Sequence, residues 1–224
     1  SHIMTQPMPF ISDNAASVHP SVWETMQAAD NPDAPYDGDR LSAMLDERFS
    51  ELFGRECAAL WVATGTAANC LALGTLVQPH GGLVCHREAH IGFFLHGAKL
   101  MLADGAGAKL AQTDIARVID PIRDDVHQVQ PHAVSITQAS EYGCTYNTQE
   151  LSDLGAFADE RGLGMHMDGA RFANAVAFLD CAPADAVGPC DTLSFGFIKN
   201  GGLGAEAVIL FDPERADEVR YRRK

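Results

Sequence analysis

The chain has 224 residues, 46% of them apolar, and a formal net charge of −14. That length suits one sizeable domain of ordinary globular composition. The acidic balance argues against a nucleic-acid partner, and no stretch is long and apolar enough to span a membrane. Six scattered cysteines without a C-x-x-C pair fit a reducing cytoplasm better than a disulfide framework.

Ser1-His2-Ile3-Met4 reads as an expression-tag remnant, and no signal-peptide pattern follows it. Phe10-Ile11 then meets Ser12-Asp13-Asn14, where Ser12 is locally a turn or cap residue. His19-Pro20-Ser21 opens a helix containing Val22, Trp23 and Met26, with Ser21 as its cap. Residues 31–40 hold two prolines, one glycine and three aspartates, which predicts a loop centred on Tyr36-Asp37-Gly38-Asp39. From Leu41 to about Phe53 the spacing predicts an amphipathic helix, with Leu41, Met44, Leu45, Phe49 and Leu52 on one face and Gly54 closing it.

Residues 57–63 form an apolar run of strand length. Thr64-Gly65-Thr66-Ala67-Ala68-Asn69 follows, then helical spacing through Leu71, Ala72, Leu76 and Val77. The free N–H groups at such a strand-to-helix turn suit an anion, and Thr64 and Thr66 add hydroxyls. The plainer alternative is a tight turn with a threonine cap, since neither G-x-G-x-x-G nor a Walker lysine is present. Leu83-Val84-Cys85 is a short strand ending at His86-Arg87-Glu88-Ala89-His90. Two histidines four apart make a poor metal site without a third ligand; surface histidines, or one imidazole facing a ligand, are the alternatives. Helical spacing resumes at Ile91, Phe94 and Leu95.

Residues 99–102 are predicted as a strand and 103–108 as a loop. Thr113 caps a helix through Ile115, Val118 and Ile119. Residues 133–137 are a further strand, leading to Gln138-Ala139-Ser140-Glu141. Leu151, Leu154, Phe157 and Ala158 mark an amphipathic helix ending near Gly162. The next strand delivers Asp168 at its end and turns through Gly169-Ala170-Arg171 into a helix with Phe172, Ala173, Val176 and Ala177. A second apolar run, Leu193-Ser194-Phe195-Gly196-Phe197-Ile198, delivers Lys199. Residues 207–211 are a last strand, and Pro213 starts a last helix at its first position. This alternation predicts an α/β fold, a mainly parallel sheet flanked by helices with ligands at the carboxyl edge of its strands. A carboxylate and an amine at that edge suit a cofactor with a basic ring nitrogen and an aldehyde. The plainer alternatives are a helix-start aspartate and a surface lysine.

Taken together, Ser12-Asp13-Asn14, Thr64-Gly65-Thr66-Ala67-Ala68-Asn69, Glu88-Ala89-His90, His166-Met167-Asp168-Gly169-Ala170-Arg171 and Ser194-Phe195-Gly196-Phe197-Ile198-Lys199-Asn200-Gly201 resemble the low-specificity L-threonine aldolases. These are pyridoxal-phosphate enzymes of the aspartate-aminotransferase fold type. The resemblance implies a tag remnant at 1–4, an N-terminal arm, helix and loop at 5–40, a cofactor-binding large domain at 41–212, and at 213–224 the start of a small domain otherwise absent. It implies pyridoxal 5'-phosphate as a Schiff base on Lys199, Asp168 at the pyridine nitrogen, and Gly65, Thr66 and Ser194 at the phosphate. Arg171 is then expected at the cofactor's phenolic oxygen or the substrate carboxylate, His90 stacked on the ring, Ser12 at the substrate carboxylate and Tyr36 near a subunit interface and the substrate. The catalytic set is Lys199, His90 and Asp168, with no metal. The implied reaction is cleavage of a small β-hydroxy-α-amino acid to glycine and an aldehyde, with His90, a held water or His86 as the base. Relatives often carry a histidine where Ser140 falls. The resemblance also implies a homodimer or homotetramer, while charge, hydropathy and cysteine usage speak for a cytoplasmic protein with no nucleic-acid or membrane partner. A β-eliminating lyase of the same fold and a cofactor-binding fragment with little turnover are the alternatives.

Overall fold

The computed structural model describes residues 10–93 and 99–224. The expected tag remnant and the positions Phe94 and Leu95 lie outside them. Among the described residues seven strands form one sheet: β1 (Ala58–Val62), β2 (Gly81–His86), β3 (Lys99–Ala103), β4 (Gln130–Thr137), β5 (Gly164–Gly169), β6 (Thr192–Gly196) and β7 (Glu206–Leu210). Their order is β1-β7-β6-β5-β4-β2-β3. β7 runs antiparallel to both of its neighbours, β1 and β6, and every other pairing is parallel. The helices are α1 (Pro20–Ala29), α2 (Leu45–Phe53), α3 (Gly65–Leu76), α4 (Gln112–Ile119), α5 (Thr148–Arg161), α6 (Phe172–Leu179), α7 (Pro183–Val187) and α8 (Ala216–Arg223).

Period-two alternation divides the core between the two faces of this sheet. Ala207 and Ile209 of β7 join Met165, Met167, Leu193 and the apolar sides of α2, α4, α5 and α7 on one face. Val208 and Leu210 face the other way, against Ala68 and Ala72 of α3 and Val219 of α8. On β5 the odd residues Met165 and Met167 enter the first core. His166 and Asp168 must therefore point to the α3 side, where both hydrogen-bond to Asn69.

Several local expectations change. The cap of α1 is His19, whose ring accepts the Ser21 N–H; Ser21 is inside the helix. Similarly α4 is capped at Ala111, whose N–H donates to Asp114 Oδ2 at 2.8 Å, and Thr113 lies in the first turn. The helix expected from Leu41 begins as a 3-10 turn at Ser42–Met44. Leu41 and Leu52 are exposed, and Phe49 and Phe53 carry the buried stripe. On α6 the buried positions are Phe172 and Ala175, not Ala173 and Ala177. Pro213 starts a 3-10 turn, Pro213–Arg215, ahead of α8. Gly54 and Gly162 end α2 and α5 in the left-handed conformation, as expected.

Candidate active site

Asp168 stands at the carboxyl end of β5, paired in register with Thr137 of β4 and Ser194 of β6. It is 4% exposed, and polar donors surround its carboxylate. Oδ2 accepts the Asn69 side-chain amide at 3.0 Å, and Oδ1 accepts the Ala170 N–H at 3.1 Å and the Ser194 hydroxyl at 3.5 Å. Behind Asn69 lies His166, fully buried. Its Nε2 is 2.8 Å from Asn69 Oδ1 and its Nδ1 is 2.8 Å from Thr192 Oγ1. The bonding fixes the tautomer. Asn69 spends its amide on Asp168, so its carbonyl oxygen can only accept, and Nε2 must carry the proton. Nδ1 then accepts from Thr192. Burial pushes His166 down to about 4, against the attraction of Asp168, so the ring is neutral at pH 7.

Lys199 lies not at a strand tip but three residues beyond β6, inside the 3-10 turn Ile198–Asn200. Three features fix that turn. Phe195 and Phe197 pack with Phe49, Trp61 and each other, the last pair with centroids 4.7 Å apart. Between them, Gly196 lets β6 approach the chain leaving β5: a β-carbon there would sit 2.5 Å from the Ala170 carbonyl oxygen. Glu206, 5% exposed at the start of β7, accepts the Ile198 N–H at 3.2 Å.

The third component is the start of α3. Thr64 caps it, its hydroxyl accepting the Ala67 N–H at 3.1 Å. The first-turn N–H groups of Gly65 and Thr66 have no intrahelical acceptor and suit an anion. Thr64, Gly65, Thr66, Asn69, His90, Thr137, Glu141, Asp168, Arg171, Lys199 and Glu206 converge on one cleft of about 360 Å³. The N-terminal segment closes one side. Asp13 holds Arg171 through Nε and Nη2, at 2.5 and 3.1 Å, and lies 3.5 Å from Lys199 Nζ. Burial disfavours its charge, but the Arg171 hydrogen bonds and charge, with Lys199, outweigh this and hold Asp13 below the usual carboxylate range.

Of the residues picked out by sequence, Gly65, Thr66, His90, Asp168, Arg171 and Lys199 share this cleft. Three do not line it. Tyr36 is 86% exposed and borders a separate cavity of about 370 Å³ with Asp37 and Arg223. Ser194 is buried beneath Asp168, where its hydroxyl also accepts the Gly169 N–H at 3.3 Å. Exposed Ser12 caps the short turn Asp13–Ala15 through the Asn14 N–H, and Asn14 reaches the cleft instead. His86 spends both ring nitrogens on backbone, Nε2 on the Gly105 carbonyl and Nδ1 on the Glu88 N–H. Ser140 is likewise committed, to Gly107 and Cys144, and its neighbour Glu141 enters the cleft and accepts the His90 N–H at 3.1 Å. Among the described residues no group of three or more His, Cys, Asp or Glu is placed to hold a metal. Sequence reasoning gave no role to Asp13, Asn69, His166, Glu141 or Glu206. The available signal was polar residues interrupting apolar, strand-like runs.

Fold and site define a three-layer α/β protein with the N-terminus of a helix, a buried carboxylate and an amine on one cleft at the carboxyl edge of its parallel strands. The beta-eliminating lyase family profile matches residues 9–224, and the chain belongs to that family. It is 38% identical, over 98% of its length, to the low specificity L-threonine aldolase of a Pseudomonas species, and 38% identical, over 96%, to that of Pseudomonas aeruginosa. It spans 66% and 65% of the lengths of those two relatives. The structure of a Leishmania major threonine aldolase superposes with a TM-score of 0.87 at 27% identity, covering 97% of this chain and 67% of that one.

Proposed function

We propose that the chain binds pyridoxal 5'-phosphate and cleaves L-threonine-like β-hydroxy-α-amino acids to glycine and an aldehyde. The observation that carries this reading is the pairing of Asp168 and Lys199 on one cleft that also contains the N-terminus of α3. The residues of the cleft suit the cofactor's chemistry: an amine for its aldehyde, a carboxylate for its ring nitrogen, and an amide cradle for its phosphate. When bound, the cofactor supplies an electron sink for a bond broken at the substrate α-carbon.

The protein's own groups divide the remaining work. Lys199 would hold the aldehyde carbon, and its rigid turn sets where the amine stands. Asp168 would keep a proton on the ring nitrogen, oriented by Asn69 and through it by neutral His166. Gly65 and Thr66 would hold the phosphate. Arg171, gripped along one guanidinium edge by Asp13, offers its other edge to the cofactor's phenolic oxygen or the substrate carboxylate. His90 would remove the proton from the substrate β-hydroxyl, a role a neutral imidazole can fill at pH 7. A held water, or Glu141 beside it, is the alternative acceptor. Exposed apolar residues such as Phe10, Ile11 and Trp23 support assembly as a homodimer or homotetramer, and six free thiols support a cytoplasmic setting.

The test is product analysis of the chain loaded with the cofactor and supplied with L-threonine. Glycine and acetaldehyde in equal amounts are expected. Ammonia and a keto acid would instead mark a β-elimination, the chemistry for which the family is named.

A further inference from the structure

Glu206 opens β7, in register with Gly196 of β6 and Val62 of β1. It is a carboxyl group at 5% exposure, yet it lines the cleft. Its two oxygens face different partners. Oε1 accepts the Ile198 N–H at 3.2 Å, at the start of the turn that carries Lys199. Oε2 faces the first residue of α3: a β-carbon on Gly65 would stand 3.8 Å from it. One carboxyl group therefore spans the lysine turn and the anion-binding helix start.

An ionised carboxylate at that point would oppose an incoming phosphate. The charged groups that face Glu206 are Lys199 on its turn and Asp168 on β5, while the α3 residues beside it, Gly65 and Thr66, carry no charge. The cleft's other cation, Arg171, is already matched by Asp13. A phosphate adds up to two negative charges to this set. A neutral acid removes one and gains a donor, since a protonated carboxyl can accept at one oxygen and donate from the other.

We propose that Glu206 is a proton-donating ligand of the cofactor phosphate, with Oε1 fixed by Ile198 and Oε2–H donating to a phosphate oxygen at the start of α3. The inference rests on the pyridoxal-phosphate reading above and adds a residue to its phosphate site. Burial raises this carboxyl above its ordinary range, the Ile198 and Phe197 N–H groups oppose that in part, Asp168 adds to it and Lys199 opposes it. Linkage then makes phosphate binding and proton uptake by Glu206 reinforce one another.

The experiment compares the binding of pyridoxal phosphate with that of pyridoxal, which lacks the phosphate, to wild type and to Glu206→Gln. Glutamine keeps a neutral donor and cannot ionise. Across about pH 6 to about pH 9, wild-type affinity for pyridoxal phosphate should fall about tenfold or more relative to the variant, while the ratio for pyridoxal stays level. A level ratio for pyridoxal phosphate overturns the proposal. So does an equal fall with pyridoxal, which would place the charge effect at the ring. If Glu206→Gln does not fold, infrared difference spectra of wild type decide. At about pH 9, the alkaline end of that range, a protonated-carboxyl band should grow on loading with pyridoxal phosphate and not with pyridoxal, and no growth there overturns the proposal. A wild-type chain that binds neither compound removes the cofactor reading itself, and this inference with it.

Discussion

His166 and Asp168 are two residues apart on one strand, yet different surroundings keep them in place. Asp168 is held by donors: the Asn69 amide, the Ala170 N–H and the Ser194 hydroxyl. His166 is retained as a neutral ring by burial and by partners that specify one tautomer. The ring's folded-state value of about 4 lies below the ordinary 6.5. Between those values the unfolded chain binds the extra proton, so stability rises with pH there. The contribution is fully present above 6.5 and is lost as pH falls toward 4. Its size is on the order of 3 kcal/mol. Thermal melts across that window should therefore fall more steeply toward acid in wild type than in His166→Gln. Parallel curves would mean that the buried ring does not couple folding to protons.

At the scale of elements, the site depends on how β6 leaves the sheet. Phe195 and Phe197 anchor the chain in the aromatic cluster, and Gly196 permits contact with Ala170. Gly196→Ala places its β-carbon 2.5 Å from the Ala170 carbonyl oxygen and 2.7 Å from the Ala170 Cα. Neither atom belongs to a flexible side chain, so the backbone between β5 and α6 must shift. The expected cost is about 1–3 kcal/mol. Urea denaturation should register it as a lower midpoint with an unchanged slope. A midpoint equal to wild type would mean that the contact relaxes at no cost. The turn holding Lys199 is fixed by the same contacts, so loosened cofactor binding should accompany the loss of stability.

Across the whole molecule, one mainly parallel sheet separates two cores and brings six separate chain segments to one cleft. Much of this was legible in sequence because apolar runs of strand length end in single charged residues, Asp168 being the clearest. Strand direction was not legible. An apolar run such as 207–211 looks the same parallel or antiparallel, and only pairing with both β1 and β6 defines β7. Helix starts shifted where several candidate caps stood close together, as at His19 and Ser21. The supporting network stayed hidden for a different reason. Asn69, His166 and Glu206 sit within runs that sequence reads as core, and a buried polar residue becomes informative only when its partner, distant in sequence, is known. In the reading proposed above, Lys199 and Asp168 hold opposite ends of one cofactor. Borohydride reduction of the chain loaded with pyridoxal phosphate, followed by peptide mapping, tests it most directly. The label should fall on Lys199 in wild type and be lost from that peptide in Lys199→Ala. Label on another lysine, or none in wild type, would mean that Lys199 does not carry the cofactor.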